Sequence, residues 1–265
     1  MCVGIGCIGC GTMGGAIMAG LRKSLSEDKY VLYGCNRSHA KMEPLVALGI
    51  KALPDARAVA ANSDILILGV KPSQIGQVLG QIAPALTRNQ LLISLAAGVS
   101  LSGLGLAPEQ PAARCMPNTP ARVGHGVFAF CHNEAARGWK DRVFELFGHL
   151  GLCLEIGEEY FTAFSALVGA GPAYVFAMMQ ALVQAGITLG FGHAQARDMI
   201  AALFGGCASM AKAMPEQHLM AMRDEVCSPA GLTIAGVNYM DAAGLAGKMV
   251  EAVLAANARG VEMEA

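Results

Sequence analysis

Short apolar runs alternate with helical patterns through the first 155 residues. Nearly continuous apolar stretches at 3–8, 30–35, 64–70, 91–96, 113–116, 126–130 and 153–156 predict strands, and a helical pattern covers 13–23. Strands that are apolar on both faces and alternate with helices imply a mainly parallel sheet covered on both sides. From 158 onward no strand pattern survives. Helices are predicted there over 158–167, 172–186, 194–214, 229–240 and from 245 to the end. The expected architecture is an α/β half, residues 1–157, followed by an all-helical half, residues 158–265. There is no internal repeat and no low-complexity tract.

Composition removes several classes. The chain has 265 residues, 54% hydrophobic and only 15% charged, which is ample core material and argues against disorder. Its 19 Lys and Arg against 20 Asp and Glu leave no basic footprint, so no nucleic-acid partner is expected. A membrane span needs a closer look, because no charged residue lies between Glu159 and Arg197. Gly169, Gly171, Pro172, Gly186, Gly190 and Gly192 interrupt that stretch, and Gln180 and Gln184 sit in its cleanest part. A span needs about 20 unbroken apolar residues. The expectation is helices buried in protein, with no membrane partner. Ten of the 15 methionines lie after residue 170, among weakly charged helices suited to packing against a second chain.

No basic head or cleavage pattern opens the sequence, so no signal peptide is expected. Nine cysteines form no disulfide framework; reduced thiols in the cytoplasm are expected. Cys7 and Cys10 make a C-x-x-C, but Cys7 falls in a strand and Cys10 between two glycines. No second ligand pair accompanies them, so neither a redox pair nor a metal site is expected.

The candidate chemistry begins with Gly9-Cys10-Gly11-Thr12-Met13-Gly14, a G-x-G-x-x-G placed after a strand and opening a helix. Such a turn lets a pyrophosphate approach the backbone, and the helix start offers it free N–H groups. The second strand ends in Asn36-Arg37-Ser38 with no acidic residue for ribose hydroxyls. Arg37 and Ser38, with Lys41 a turn later, suit a 2′-phosphate instead, so NADPH is favoured and NADH is the alternative donor. Two further strand ends, Val70-Lys71-Pro72 and Ala96-Ala97-Gly98, are where the nicotinamide half is expected.

Five ordered blocks then make the chain resemble the pyrroline-5-carboxylate reductases. They are the glycine turn with Met13; Val70-Lys71-Pro72; Met116-Pro117-Asn118-Thr119-Pro120; Gly169-Ala170-Gly171-Pro172-Ala173-Tyr174; and Asp224 through Ile234, with Ser228-Pro229-Ala230-Gly231-Leu232-Thr233 at its centre. The resemblance implies an N-terminal NADP(H)-binding Rossmann domain, a doubly wound sheet, and a helical dimerisation and substrate domain. It implies reduction of the cyclic imine 1-pyrroline-5-carboxylate to L-proline, the last step of proline biosynthesis. It also implies a homodimer, with five dimers forming a homodecamer in many members. Cofactor contacts are expected from Gly9, Cys10, Gly11, Thr12, Met13, Asn36, Arg37, Ser38, Val70, Lys71, Pro72, Ala96, Ala97 and Asn118. Substrate contacts are expected from Val226, Ser228, Gly231, Leu232 and Thr233, with Thr233 the catalytic candidate near the ring nitrogen. The Ser228-Pro229 pair reads as an N-cap followed by proline in the first helical position, leaving N–H groups for a substrate carboxylate.

The family pattern is broken in places. Val168 and Ala170 stand where the family usually has serines, Ala230-Gly231 replaces a glycine pair, and Leu232 adds bulk. Ala56 occupies a position that is often asparagine near the adenosine. These departures keep two alternatives open: a non-catalytic NADP(H)-binding regulator, and a reductase of a related cyclic imine. A β-hydroxyacid dehydrogenase is disfavoured, because no lysine lies between Lys140 and Lys212 to serve as its helix-borne catalytic lysine.

Overall fold

The structure, a computed structural model, describes residues 2–264 and divides into two compact units, residues 2–170 with 257–264, and residues 171–256. The first unit is built on an eight-stranded sheet: β1 (Val3–Ile8), β2 (Tyr30–Cys35), β3 (Lys51–Ala52), β4 (Ile65–Leu68), β5 (Leu91–Ser94), β6 (Ala112–Met116), β7 (Gly126–His132) and β8 (Gly151–Glu155). Their order in the sheet is β3-β2-β1-β4-β5-β6-β7-β8. All neighbours pair in parallel except β6 with β7. The helices of this unit are α1 (Thr12–Ser24), α2 (Glu43–Val46), α3 (Ala56–Ala61), α4 (Ile75–Ile82), α5 (Lys140–Gly148) and α6 (Phe161–Phe164).

The two-faced apolar strands predicted from the sequence are present, and their period of two sorts them into separate cores. Ile5, Cys7, Ile65, Ile67, Leu91 and Ile93 join Ile17, Met18 and Leu21 of α1 on one face. Ile8, Leu66, Leu68 and Leu92 join Val59 of α3 and Val78, Leu79 and Ile82 of α4 on the other. Ile65 through Leu68 are wholly inaccessible. Each such side chain contributes roughly 1.5–3 kcal/mol of burial, so the centre of the sheet is a rigid base for the loops at its carboxyl edge.

The second unit holds α7 (Gly171–Thr188), α8 (His193–Ala213), α9 (Leu219–Glu225), α10 (Leu232–Ala242) and the first part of α11 (Leu245–Glu264). Its buried residues are Val183, Ala196 and Val237, while Phe176, Leu203 and Leu254 are more than half exposed. Charge is scarce on these faces, so the unit presents apolar surface without enclosing a core of its own. The helical run Glu158–Thr188 has a mean hydropathy of 1.6 and is long and apolar enough to cross a membrane, by length and composition alone. A π-helical turn over Ser165–Gly169 breaks its regularity.

The helices α2 to α5 are expected from the sequence only as unplaced patterns between strands, and β3 and α9 are not expected at all. β3 is two exposed residues that pair with Tyr33 and Gly34, so its partner strand defines it. α9 is seven residues long, started by His218, whose Nδ1 accepts the Met220 N–H at 3.2 Å. The predicted helix over 229–240 begins three residues late, at Leu232.

Candidate active site

After β1 the chain turns sharply. Gly9 takes φ +91°, and its N–H and that of Cys10 both donate to the Cys35 carbonyl, at 3.0 and 3.3 Å. A side chain at Gly9 would strike Gly69 and Val70 at 2.7–2.8 Å, and one at Gly14 would meet the Gly9 carbonyl at 2.6 Å. Gly11 differs: a Cβ there would meet nothing within 4 Å, so its open side faces free space. Among the described residues no protein acceptor takes the Thr12, Met13 or Gly14 N–H, and Gly11, the N-cap of α1, offers no side-chain cap. Free amides at the positive end of a helix dipole, above an open glycine, fit a diphosphate.

An open groove runs along this edge, lined by Gly9, Gly11, Asn36, Arg37, Ser38, Val70 and Lys71 among others. The structure thus gathers seven of the residues expected at a cofactor. Lys41, expected beside Arg37 and Ser38, lines it too, and the structure adds Asp55 and Gln74. Asn36 folds the β2 loop by donating to the Ser38 carbonyl at 3.2 Å, while Arg37 and Ser38 are exposed. Among the described residues Arg37, Lys41 and Lys71 have no carboxylate within ion-pair distance, so the rim is positive, as a phosphate requires. Asp55 is the acidic exception; its Oδ1 accepts the Ala58 N–H at 2.7 Å and caps α3. Its signal in the sequence was an N-cap residue directly before a helix. Gln74 accepts the Lys71 N–H at 3.4 Å and braces the turn at Pro72.

Cys10 contributes main chain only. Its thiol is buried and donates toward the Cys7 carbonyl at 3.5 Å. The hydrogen bond with Cys10 and burial push the Cys7 thiol well up, and burial raises Cys35 to about 11. The Cys7 and Cys35 thiols stay protonated and pack beneath the turn.

Ala96 and Ala97 follow β5 but do not line the groove. Asn118 does not line it either. This buried side chain accepts the Val127 N–H at 2.9 Å and donates to the Val168 carbonyl at 3.3 Å, fixing the loop between β6 and β7. Because Asn118 uses the carbonyl of Val168, the side chain at 168 takes no part in that bond.

In the helical unit, Val226, Ser228, Gly231, Leu232 and Thr233 fall together between α9 and α10. The expected Ser228 cap is absent. Gly231 is the N-cap of α10, and Ser228 to Gly231 form a turn closed by the Gly231 N–H to the Ser228 carbonyl at 3.0 Å. The reason is Ala230, at φ +55°, a left-handed conformation that a helix cannot include. Proline therefore occupies a turn position and not the first helical one. Among the described residues no protein acceptor takes the Leu232, Thr233 or Ile234 N–H. Leu232 is 95% exposed, and Thr233 is exposed in the first turn. A Cβ at Gly231 would lie 2.3 Å from the Ser228 hydroxyl and 3.1 Å from the Ser228 carbonyl, so a side chain there would force the serine to turn away. Arg223, which sequence reasoning missed, holds Asp224 at 2.7 Å and reaches Asp241 of α10 at 3.7 Å, bracing both flanks of the loop.

Comparison with known proteins matches residues 158–263 to a family model described as pyrroline-5-carboxylate reductase dimerisation, and residues 4–98 to one described as NADP oxidoreductase, coenzyme F420-dependent. The chain is 33% identical to pyrroline-5-carboxylate reductase 3 of Xenopus laevis, over 98% of this chain and 95% of that one. It is 34% identical to pyrroline-5-carboxylate reductase of Escherichia coli over 94% of each. Among solved structures, pyrroline-5-carboxylate reductase of Coxiella burnetii superposes with a TM-score of 0.88 at 30% identity, covering 98% and 97% of the two chains. The Plasmodium falciparum pyrroline carboxylate reductase with NADP bound gives 0.87 at 26% identity, covering 99% and 98%.

Proposed function

The chain belongs to the pyrroline-5-carboxylate reductase family, and we propose that it works as the family does through the two residue sets described above. It is an NADPH-dependent oxidoreductase that reduces 1-pyrroline-5-carboxylate to L-proline. The observation that carries this reading is full-length similarity combined with a glycine turn whose free amides face an open, positively rimmed groove.

The residues present fit the cofactor. Gly11 and the amides of Thr12 and Met13 would hold the diphosphate, with Gly9 making the turn and Cys10 adding main chain. Asn36, Arg37 and Ser38 would take the adenosine end and its 2′-phosphate; Val70, Lys71, Pro72, Ala96 and Ala97 would flank the nicotinamide half. Asn118 keeps its place in the site by holding the loop. When bound, the reduced nicotinamide supplies the hydride.

The protein's own share is to bind, orient and manage one proton. The amides of Leu232 and Thr233, with Ser228 and Gly231, form an anion cup suited to the substrate carboxylate, beside Val226. Thr233 is the catalytic candidate: its hydroxyl donates to the neutral imine nitrogen or relays its proton there, and once that nitrogen is protonated the hydroxyl oxygen accepts from it. An alcohol is a weak acid near neutrality, so the rate rests mainly on proximity and orientation over an already electrophilic iminium.

The protein forms homo-oligomers through its helical domain. We assign residues 1–157 to cofactor binding and 158–265 to dimerisation and substrate, because the strand pattern ends with β8. A second copy covers the apolar helical faces in place of lipid. The further assembly we favour is a pentamer of dimers in the cytoplasm. Steady-state NADPH oxidation with freshly made pyrroline-5-carboxylate tests the assignment: turnover to proline is expected. Tight NADPH binding without turnover would favour a regulator instead.

A further inference from the structure

The loop after β5 is pinned at two points and bare between them. Ala96 N–H donates to Ser94 Oγ at 3.3 Å, and Leu101 N–H donates to Glu158 Oε1 at 2.7 Å. Among the described residues the amides of Ala97, Gly98, Val99 and Ser100 have no acceptor within the protein. The same Glu158 oxygen also accepts Arg114 Nη1 at 2.8 Å. Arg114 is buried, and its guanidinium lies 4.5 Å from the centre of the Phe161 ring. One carboxylate oxygen thus joins three parts of the sheet unit: the β5 loop, strand β6 and the start of the helical run.

We infer that Glu158 is a positioning residue, which holds the loop at 97–100 in the shape that receives the nicotinamide half of the cofactor. This rests on the reading of Ala96 and Ala97 as neighbours of that half. Arg114 fixes the carboxylate, and cation–π contact with Phe161 fixes Arg114, so the oxygen that anchors Leu101 is not free to swing. The adenosine half is held elsewhere, by the glycine turn and the β2 loop, and does not depend on this anchor.

The difference between the two halves supplies the test. Full-length protein carrying Glu158→Ala is titrated with NADPH and with 2′,5′-ADP, which has the phosphorylated adenosine but no nicotinamide. Loss of a hydrogen bond to a charged acceptor should weaken NADPH by about tenfold or more. Binding of 2′,5′-ADP should change by less than about twofold. Glu158→Gln keeps an acceptor oxygen and should restore most of the NADPH affinity.

Glu158→Ala also strands a buried guanidinium, which can cost folding. The double variant Arg114→Leu with Glu158→Ala removes that charge and should fold while keeping the NADPH defect. Unchanged NADPH binding in Glu158→Ala, equal weakening of both ligands, or recovery of NADPH binding in the double variant would each overturn the inference. Failure of the unaltered protein to bind NADPH would instead overturn the cofactor reading itself.

Discussion

Ser228 and Gly231 are joined by a 3.0 Å hydrogen bond, from the Gly231 N–H to the Ser228 carbonyl, and that bond confines Ala230 to φ +55°. Among the described residues Ala230 is the one non-glycine with a positive φ. A left-handed alanine costs about 1–2 kcal/mol, part of which glycine would return as unfolded-state entropy. Ala230→Gly should therefore raise unfolding free energy by up to about 1 kcal/mol. Chemical denaturation checks this, and a lower midpoint in the variant would contradict it.

The same turn leaves Thr233 exposed beside free amides. Thr233→Ala should lower kcat with pyrroline-5-carboxylate by about tenfold or more while leaving NADPH affinity within about twofold. Equal turnover in the variant would remove Thr233 from the mechanism.

Arg37 lies exposed on the groove beside the glycine turn without a carboxylate partner among the described residues. Arg37→Gln should weaken NADPH by about tenfold and NADH far less, since a charge-assisted contact to the 2′-phosphate is lost. Dissociation constants for both dinucleotides decide it, and an unchanged ratio would sink the assignment of Arg37.

Burial holds the Cys35 thiol up at about 11, against an ordinary value of 9.0. A group raised on folding stabilises fully below its unfolded value, and that stability is lost as pH rises through the folded value. The window is therefore from about 9 to about 11. Urea unfolding at about pH 8 and about pH 10 should show a larger loss for the unaltered protein than for Cys35→Ala. Equal losses would contradict it.

Phe176 on α7 and Leu203 on α8 are 63% and 52% exposed in the single chain. Covering each in a dimer is worth roughly 1.5–3 kcal/mol per side chain. Phe176→Glu with Leu203→Glu should thus shift the molecular mass in solution from oligomer toward monomer. Light scattering reads the mass, and an unaltered oligomer would refute burial of these faces by a second copy.

Much of this was legible in the sequence because burial on both faces writes a simple pattern. Ile65 to Leu68 read as a buried strand from hydrophobicity alone, and the glycine turn is marked by residues that must lack a side chain. What stayed illegible depends on partners distant in the chain or on backbone angles. β3 exists through its pairing with Tyr33 and Gly34. The start of α10 was misplaced because an alanine gives no sign that it will adopt φ +55°. Asn118 reads as a site residue, yet both ends of its amide group are committed, to Val127 and Val168. The role of Glu158 needed the fold to bring Leu101 and Arg114 to one oxygen.

The central claim is hydride transfer to a cyclic imine, and isotope transfer tests it most directly. The protein is incubated with pyrroline-5-carboxylate and NADPH carrying deuterium on the transferable position of its nicotinamide, and the product is analysed by mass spectrometry and NMR. The account predicts proline with one deuterium on the ring carbon that adjoins nitrogen and bears no carboxylate. NADPH bound tightly with no deuterium reaching proline would contradict it.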